Sequence, residues 1–310
     1  MEFCHIPIML DEVIAGLNIK PNGTYVDCTL GGAGHSFYIA KNLSGKGKLV
    51  GIDKDVDALC AAKVKLANFE NVEYVHNDFK NFSKILDDLG IAKVDGILID
   101  LGVSSYQLDC AERGFSFRFD AELDMRMTQE QSLSAYDVVN TYTEDKLAII
   151  IYEYGEEKFS RQIAKNIIKS RQVQPIKTTS ELVKIIESSM PKKYVYTCGG
   201  ASKKTFQAIR IEVNSELLGL EDVLHSMIDR LSCGGRLCVL SFHSLEDRII
   251  KNVFKRESTD CLCPPQMPIC TCGHKAKLKH ISKKPLVASN QEQISNPRST
   301  CAKLRIAEKI

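Results

Sequence analysis

Short apolar runs alternating with amphipathic stretches over the first hundred residues leave this chain few folds to choose from. Segments 24–30, 48–53, 72–76 and 94–101 are rich in Val, Ile and Leu and end on small or polar residues. Between them, 57–66 and 82–89 carry helical spacing. Continuously apolar strands separated by helix-length segments predict an α/β fold with a parallel sheet covered on both faces. Two later strand signals, 236–242 behind the turn at Gly234 and Gly235, and 302–307, return to the same sheet.

The stretch between them has a different pattern. Phe159, Ile163, Ala164, Ile167 and Ile168 form one helical face, and Thr178 with Glu181 makes a capping box opening a helix through Leu182, Ile185 and Ile186. Residues 110–201 therefore read as an inserted helical domain, splitting the sheet domain into 1–109 and 202–310. Apolar residues from Phe206 through Ile209, Val213, Leu217, Leu220, Leu224 and Ile228 to Leu231 predict one long helix leading back to the sheet. A length of 310 residues suits one large domain with such an insertion. With 44% hydrophobic and 26% charged residues, disordered, collagen-like and coiled-coil classes are excluded.

No apolar run reaches the ~18 residues of a membrane helix, and Met1 to His5 lacks a signal-peptide pattern, so a cytoplasmic protein is expected. Seven cysteines, Cys4, Cys28, Cys60, Cys110, Cys198, Cys233 and Cys238, are scattered singly and read as small apolar residues rather than disulfide partners. Charge is uneven. From Arg248 onward thirteen Lys or Arg face four Asp or Glu, a surplus of nine, which leaves the preceding residues at minus seven against an overall +2. A basic C-terminal part on an acidic body suits a polyanionic partner or a solvated tail.

Ligands of open parallel sheets bind outside the carboxyl ends of the strands, where the suggestive residues fall. The first strand runs into Asp27-Cys28-Thr29-Leu30-Gly31-Gly32-Ala33-Gly34-His35-Ser36, a glycine turn opening a helix. The second ends at Asp53, nineteen residues after Gly34, where a carboxylate can accept both hydrogen bonds of a ribose diol. Asp55 and Asp57 are alternative helix caps, which frees Asp53 for a ligand. Phe79 follows the third strand, where it suits a purine face or the core. Phe37 stands where a dinucleotide fingerprint needs its third glycine, and Asp27 suits an ammonium group better than phosphate. Together these favour S-adenosylmethionine over a nicotinamide dinucleotide.

The fourth strand ends Ile99-Asp100-Leu101-Gly102-Val103-Ser104-Ser105-Tyr106-Gln107-Leu108-Asp109, followed by Arg113-Gly114-Phe115-Ser116-Phe117 and Leu123-Asp124-Met125-Arg126-Met127. The fifth ends Ser241-Phe242-His243-Ser244-Leu245-Glu246-Asp247-Arg248. With the glycine turn and the stretch from Thr205 to Glu216, these motifs closely resemble the bacterial 16S ribosomal RNA (cytosine-N4)-methyltransferase family, RsmH or MraW. The likeness runs from His5 to Arg305. It implies a class I methyltransferase (Rossmann-like) fold with an inserted helical substrate-recognition domain. It also implies methyl transfer from S-adenosyl-L-methionine to the exocyclic amine of a decoding-region cytidine of 16S rRNA in the small ribosomal subunit. By motif match Ala33, Gly34, His35, Asp53, Phe79, Asp100 and Gln107 hold the cofactor. Where many relatives have Arg and Ser near the end, this chain has Thr300 and Cys301, which removes one expected phosphate contact.

A cytosine N4 is a poor nucleophile because its lone pair is delocalised into the ring. An acceptor for its N–H, held in line with the methyl group, is the main requirement, and orientation supplies much of the rate. Asp100, His243 and Asn214 are the catalytic candidates. His243 suits a proton acceptor, a base contact, or a residue shaping its turn through Asp247 or the backbone. Ser244 with Asp247 reads as an N-cap pattern. Lys203, Gln207, Arg210 and Asn214 form one polar stripe, and the segment from Arg113 to Arg126 interleaves aromatics with arginines. RNA contact is expected at Arg113, Phe115, Arg126, Gln207 and Arg210, with an unpaired or extruded base as the substrate form. Two other classes compete: a noncatalytic RNA-binding assembly factor, and a methyltransferase with a protein acceptor. Whether the chain dimerises stays open.

Cys261, Cys263, Cys270, Cys272 and His274 match a structural zinc site in residue type, with Pro264, Pro265 and Pro268 between the pairs. One intervening residue in each pair strains simultaneous chelation, and no metal is assigned.

Overall fold

The structure, a computed structural model, describes residues 7–191, 194, 200–264, 266–267 and 269–310. Cys4, His5, Cys198, Pro265 and Pro268 lie outside the described residues. Two compact units emerge. One runs to Gly102 and resumes at Leu218, and the other is Val103–Leu217.

The first unit is built on a seven-stranded sheet. Its strands are β1 (Thr24–Asp27), β2 (Lys48–Asp53), β3 (Val72–His76), β4 (Val94–Asp100), β5 (Leu231–Ser241), β6 (Leu278–His280) and β7 (Lys303–Lys309), in the order β3-β2-β1-β4-β5-β7-β6. Strands β1 to β5 pair in parallel, whereas β7 runs antiparallel between β5 and β6. The short β6 carried too few apolar residues to show in the sequence.

Strand pleating explains the near-continuous apolar runs, because successive side chains feed opposite faces. Val26, Val50, Ile97, Ile99, Leu237 and Val239 join a core with Phe82, Ile85 and Leu86 of α4 (Phe82–Asp88). Helices Leu220–Arg230 and Ser244–Glu257 complete that side with Leu224, Ile228, Val253 and Phe254. Tyr25, Leu49, Leu98, Cys238 and Leu240 face the other way, onto Val13 and Leu17 of α1 (Leu10–Leu17) and Ile39 of α2 (Gly34–Asn42). The third helix, α3 (Val56–Lys65), covers the edge through Leu59 and Ala62.

The second unit is helical, as the sequence indicates, but larger than residues 110–201. Helix Gly200–Asn214 belongs to it because Phe206, Ala208, Ile209 and Val213 share a core with Leu147, Ile151, Ile163, Ile167, Leu182 and Ile186. The expected single helix from Phe206 to Leu231 is two. It stops at Asn214, Ser215 turns to φ 50°, and a new helix starts behind Gly219 at φ 73°. Apolar spacing continues through the break because periodicity records which residues are buried, not the backbone angle between them. The capping box at Thr178 and Glu181 forms as read.

Leu98 is fully buried at the centre of the sheet, so Leu98→Ala is expected to cost about 2–5 kcal/mol in urea unfolding. Val64, on the exposed side of α3, should change stability by less than about 0.5 kcal/mol when made Ala.

Candidate functional site

Three carboxylates end three adjacent strands: Asp27 on β1, Asp53 on β2 and Asp100 on β4. Asp27 is buried, accepting from the Thr29 amide at 3.1 Å and from Ser36 Oγ at 2.7 Å. Burial, aided by the charge of Asp53, pushes its pKa up to about 6. Asp53 accepts one backbone hydrogen bond on each oxygen, which leaves acceptor capacity for a ligand. Its Oδ2 accepts from the Gly31 amide at 2.7 Å and its Oδ1 from the Asp55 amide at 2.9 Å. Asp55 is the cap of α3, accepting from the Asp57 amide at 3.1 Å. Asp53 therefore ties the glycine turn to the second strand, and burial raises its pKa.

Asp100 is the least compensated of the three. Its amide donates to Thr29 Oγ1 at 2.7 Å, but its buried Oδ1 accepts no hydrogen bond and Oδ2 lies 3.8 Å from His35 Nδ1. Burial, then the charges of Asp27 and Glu246, push its pKa up to about 8. His35 is buried, with Nε2 2.9 Å from the Ile8 carbonyl oxygen. Gly31 (φ 50°) and Ala33 (φ 55°) turn the chain into α2, which Gly34 opens. Among the described residues a Cβ at Gly31 would meet only the Thr29 carbonyl oxygen, at 3.9 Å, whereas one at Gly34 would meet Pro7 at 2.8 Å, so the turn is uncrowded at its first glycine. Phe79 opens the short helix Phe79–Asn81 and is half-buried against the core. Buried negative charge, an unpartnered carboxylate oxygen and a glycine turn uncrowded at Gly31 fit a cationic adenosine-type ligand and disfavour a pyrophosphate.

His243, rather than Ser244, caps the helix Ser244–Glu257, correcting the N-cap reading by one residue. Its Nδ1 accepts from the Glu246 amide at 3.4 Å, which keeps the proton of the neutral ring on Nε2, 3.2 Å from Glu246 Oε1. His243 is thus set as a donor, not as a proton acceptor. Glu246, which the sequence reading passed over, is buried and accepts from the Phe242 and His243 amides at 2.9 and 3.3 Å. The His-x-x-Glu capping spacing was its available signal. Asp247 pairs instead with Arg305 at 2.7 Å and Lys303 at 3.3 Å. Burial alone would raise its pKa, but these cations hold it below the usual value.

The remaining candidates lie in the helical unit, and most are committed to internal bonds. Gln107 closes a capping box with Ser104 and reaches the Met127 carbonyl at 3.4 Å. Arg113 is buried, donating to the Arg126 and Met127 carbonyls at 3.0 and 3.1 Å. Phe115 is buried in the helical core. Arg126 makes a fork on Asp124 at 3.0 and 2.8 Å and donates to the Gln131 carbonyl. Asn214 accepts from the Met127 amide at 2.8 Å and donates to the Met125 and Arg210 carbonyls at 2.8 and 2.9 Å. Arg210 forks onto Glu216 at 2.8 and 2.9 Å, and Gln207 donates to the Tyr154 carbonyl at 3.0 Å.

Arg113, Phe115, Arg126 and Asn214 are thus all engaged inside this unit. Beyond the short helix Ala111–Arg113, segment 114–127 is irregular apart from a bridge between Glu122 and Thr178, and its buried polar groups need these partners. Its exposed members are Phe117, Arg118, Phe119, Asp120 and Glu122. Phe117 lies edge-on to Phe206, with centroids 5.7 Å apart.

A mostly parallel sheet in this order with one antiparallel strand near its edge, a glycine turn behind the first strand and an acidic end to the second define a Rossmann-like class I methyltransferase. The chain matches the MraW methylase family over residues 2–310, and it belongs to that family. It is 56% identical over 310 residues, spanning the whole of both chains, to "Ribosomal RNA small subunit methyltransferase H" of Clostridium botulinum. Proteins of the same name from Lachnospira eligens and Clostridioides difficile are 54% and 51% identical over 311 residues. All of this chain is covered in both matches, with 99% of the first protein and 100% of the second.

Asn214→Ala strands the Met127 amide and the Met125 carbonyl, so it should cost about 1–3 kcal/mol of stability. Thermal melting at unchanged temperature would contradict this structural role.

The folded chain keeps the Asp100 proton to about pH 8, whereas an unfolded aspartate releases it near 3.8. Between these limits the folded state binds more protons, so this group's contribution to stability is complete below the lower value and is lost as pH rises. Asp100→Asn should flatten the decline of Tm with pH across that window, and parallel Tm profiles for the two proteins would contradict the assignment.

Proposed function

We propose that this chain transfers a methyl group from S-adenosyl-L-methionine to the exocyclic N4 amine of a cytidine in 16S rRNA of the small ribosomal subunit, acting in the cytoplasm. The observation that carries the reading is Asp100, half-buried at the end of β4, whose buried Oδ1 lacks a hydrogen-bond partner. The names of the full-length relatives support the acceptor class. Among the described residues no helix is long and apolar enough to cross a membrane.

S-adenosyl-L-methionine supplies the methyl group on a sulfonium that loses its charge on transfer. Ala33, Gly34 and His35, at the head of α2, and Asp53 hold the cofactor, with Phe79 against its adenine. A cation beside Asp100 favours its ionised form, which then accepts an N–H of the cytidine amine and orients the nitrogen for attack. The N4 proton becomes acidic only after alkylation. A carboxyl pKa raised by burial to about 8 makes Asp100 a competent acceptor at that moment. His243, with its proton on Nε2, donates to an acceptor on the base. Stacking of an unpaired base falls to Phe117 and Phe119, with Arg118 between them for phosphate.

Labelled methyl transfer to small ribosomal subunits lacking the modification, with nucleosides separated by mass spectrometry, should yield N4-methylcytidine. Cofactor binding without any methylated cytidine would overturn the acceptor. Asp53→Ala should weaken cofactor binding at least tenfold, about 1.4 kcal/mol. Phe117→Ala with Phe119→Ala should lower RNA affinity by a similar factor while sparing cofactor affinity.

A further inference from the structure

The loop between helix Ser244–Glu257 and β6 plays no part in the methyl transfer described above, yet its four cysteines converge. Sγ of Cys261 lies 3.4 Å from that of Cys270 and 3.8 Å from that of Cys272, and Cys270 and Cys272 are 3.6 Å apart. All four sulfurs, Cys263 included, fall within 4.8 Å of one another. The one-residue spacing of each pair, which seemed to strain chelation, does not keep the sulfurs apart.

We propose that Cys261, Cys263, Cys270 and Cys272 form a tetrahedral tetrathiolate site for a structural zinc ion. Zinc–sulfur bonds of about 2.3 Å place the sulfurs of a regular tetrahedron about 3.8 Å apart, close to the separations here. Disulfides, at about 2.05 Å, would need each bonded pair to move much closer. Nor does an apolar core gather these side chains. Cys261, Cys270 and Cys272 are exposed, as are the loop's apolar residues Leu262, Met267 and Ile269.

Backbone donors already face the sulfurs. The Leu262 amide donates to Cys272 Sγ, that of Cys263 to Cys261 Sγ, and that of Thr271 to Cys263 Sγ, each at 3.4 Å. Such donors stabilise thiolates and orient them around a metal. The loop is also closed at its base, where the Lys277 amide donates to the Glu257 carbonyl at 2.7 Å and the Ala276 amide to Asp260 Oδ1 at 3.3 Å. His274 lies outside the set, its Nε2 3.0 Å from the Arg256 carbonyl oxygen. Four protein ligands leave no open position, which is the pattern of a structural ion. Binding displaces four thiol protons and leaves the centre with two net negative charges, in a loop flanked by Lys255, Arg256, Lys275 and Lys277.

The full-length protein, purified in reductant without chelator, should carry one zinc per chain by elemental mass spectrometry. Replacement with cobalt(II) should give the visible bands of a tetrahedral tetrathiolate. Cys263→Ser with Cys272→Ser should abolish both signals, whereas Cys60→Ser, at an exposed cysteine of α3, should keep them. Reduced wild-type protein with neither stoichiometric zinc nor the cobalt spectrum overturns the proposal. Retention of zinc by the double variant does so too, as does a metal-free chain lighter by four hydrogens, which would show paired disulfides. None of these readouts depends on methyl transfer.

Discussion

Three carboxyl groups gathered at the ends of β1, β2 and β4, with too few hydrogen bonds to settle their charge, set the character of this protein. Asp27, Asp53 and Asp100 are withdrawn from water beside one another, and hydrogen bonds from Thr29, Ser36, Gly31 and Asp55 offset only part of that cost. The pKa values of Asp27 and Asp100, about 6 and about 8, record the remainder. A site that repels its own charges is poised for a cation, and a sulfonium carrying an ammonium group meets that need. Stability is held back at the site where binding has to be gained.

The same accounting of polar groups separates roles in the helical unit. Arg113, Arg126 and Arg210 look like RNA ligands in the sequence, and Asn214 like a catalytic residue, because cations and amides recur in an aromatic setting. In the fold each meets a carbonyl, an amide or a carboxylate of its own unit. Irregular backbone buried between helices must find hydrogen-bond partners, and long polar side chains are the means available. Facing solvent, the segment leaves the aromatics Phe117 and Phe119 beside the charged Arg118, Asp120 and Glu122.

The cysteine loop offers a third balance. A segment whose apolar residues stay exposed cannot be held by burial, and the convergence of four sulfurs supplies the alternative of coordination. Spacing along the chain argued against it because separation in sequence constrains two sulfurs only within one backbone path. Here the two pairs come from opposite ends of the loop.

Alternating apolar runs were enough to establish the parallel sheet and the helical insertion, since a strand buried on both faces has no polar positions to spare. The strand-end residues Asp27, Asp53 and Asp100 were also legible, because strand direction alone decides at which end of the sheet they gather. The antiparallel course of β7, the break between Asn214 and Gly219, and the capping role of His243 were not. They depend on which strand edge remains open, on a backbone angle at Ser215, and on a one-residue register at a helix start, none of which leaves a mark in hydrophobic periodicity. Whether a polar side chain is free to meet a ligand was likewise settled only by folding, because that turns on the partners that distant segments bring within 3 Å or so.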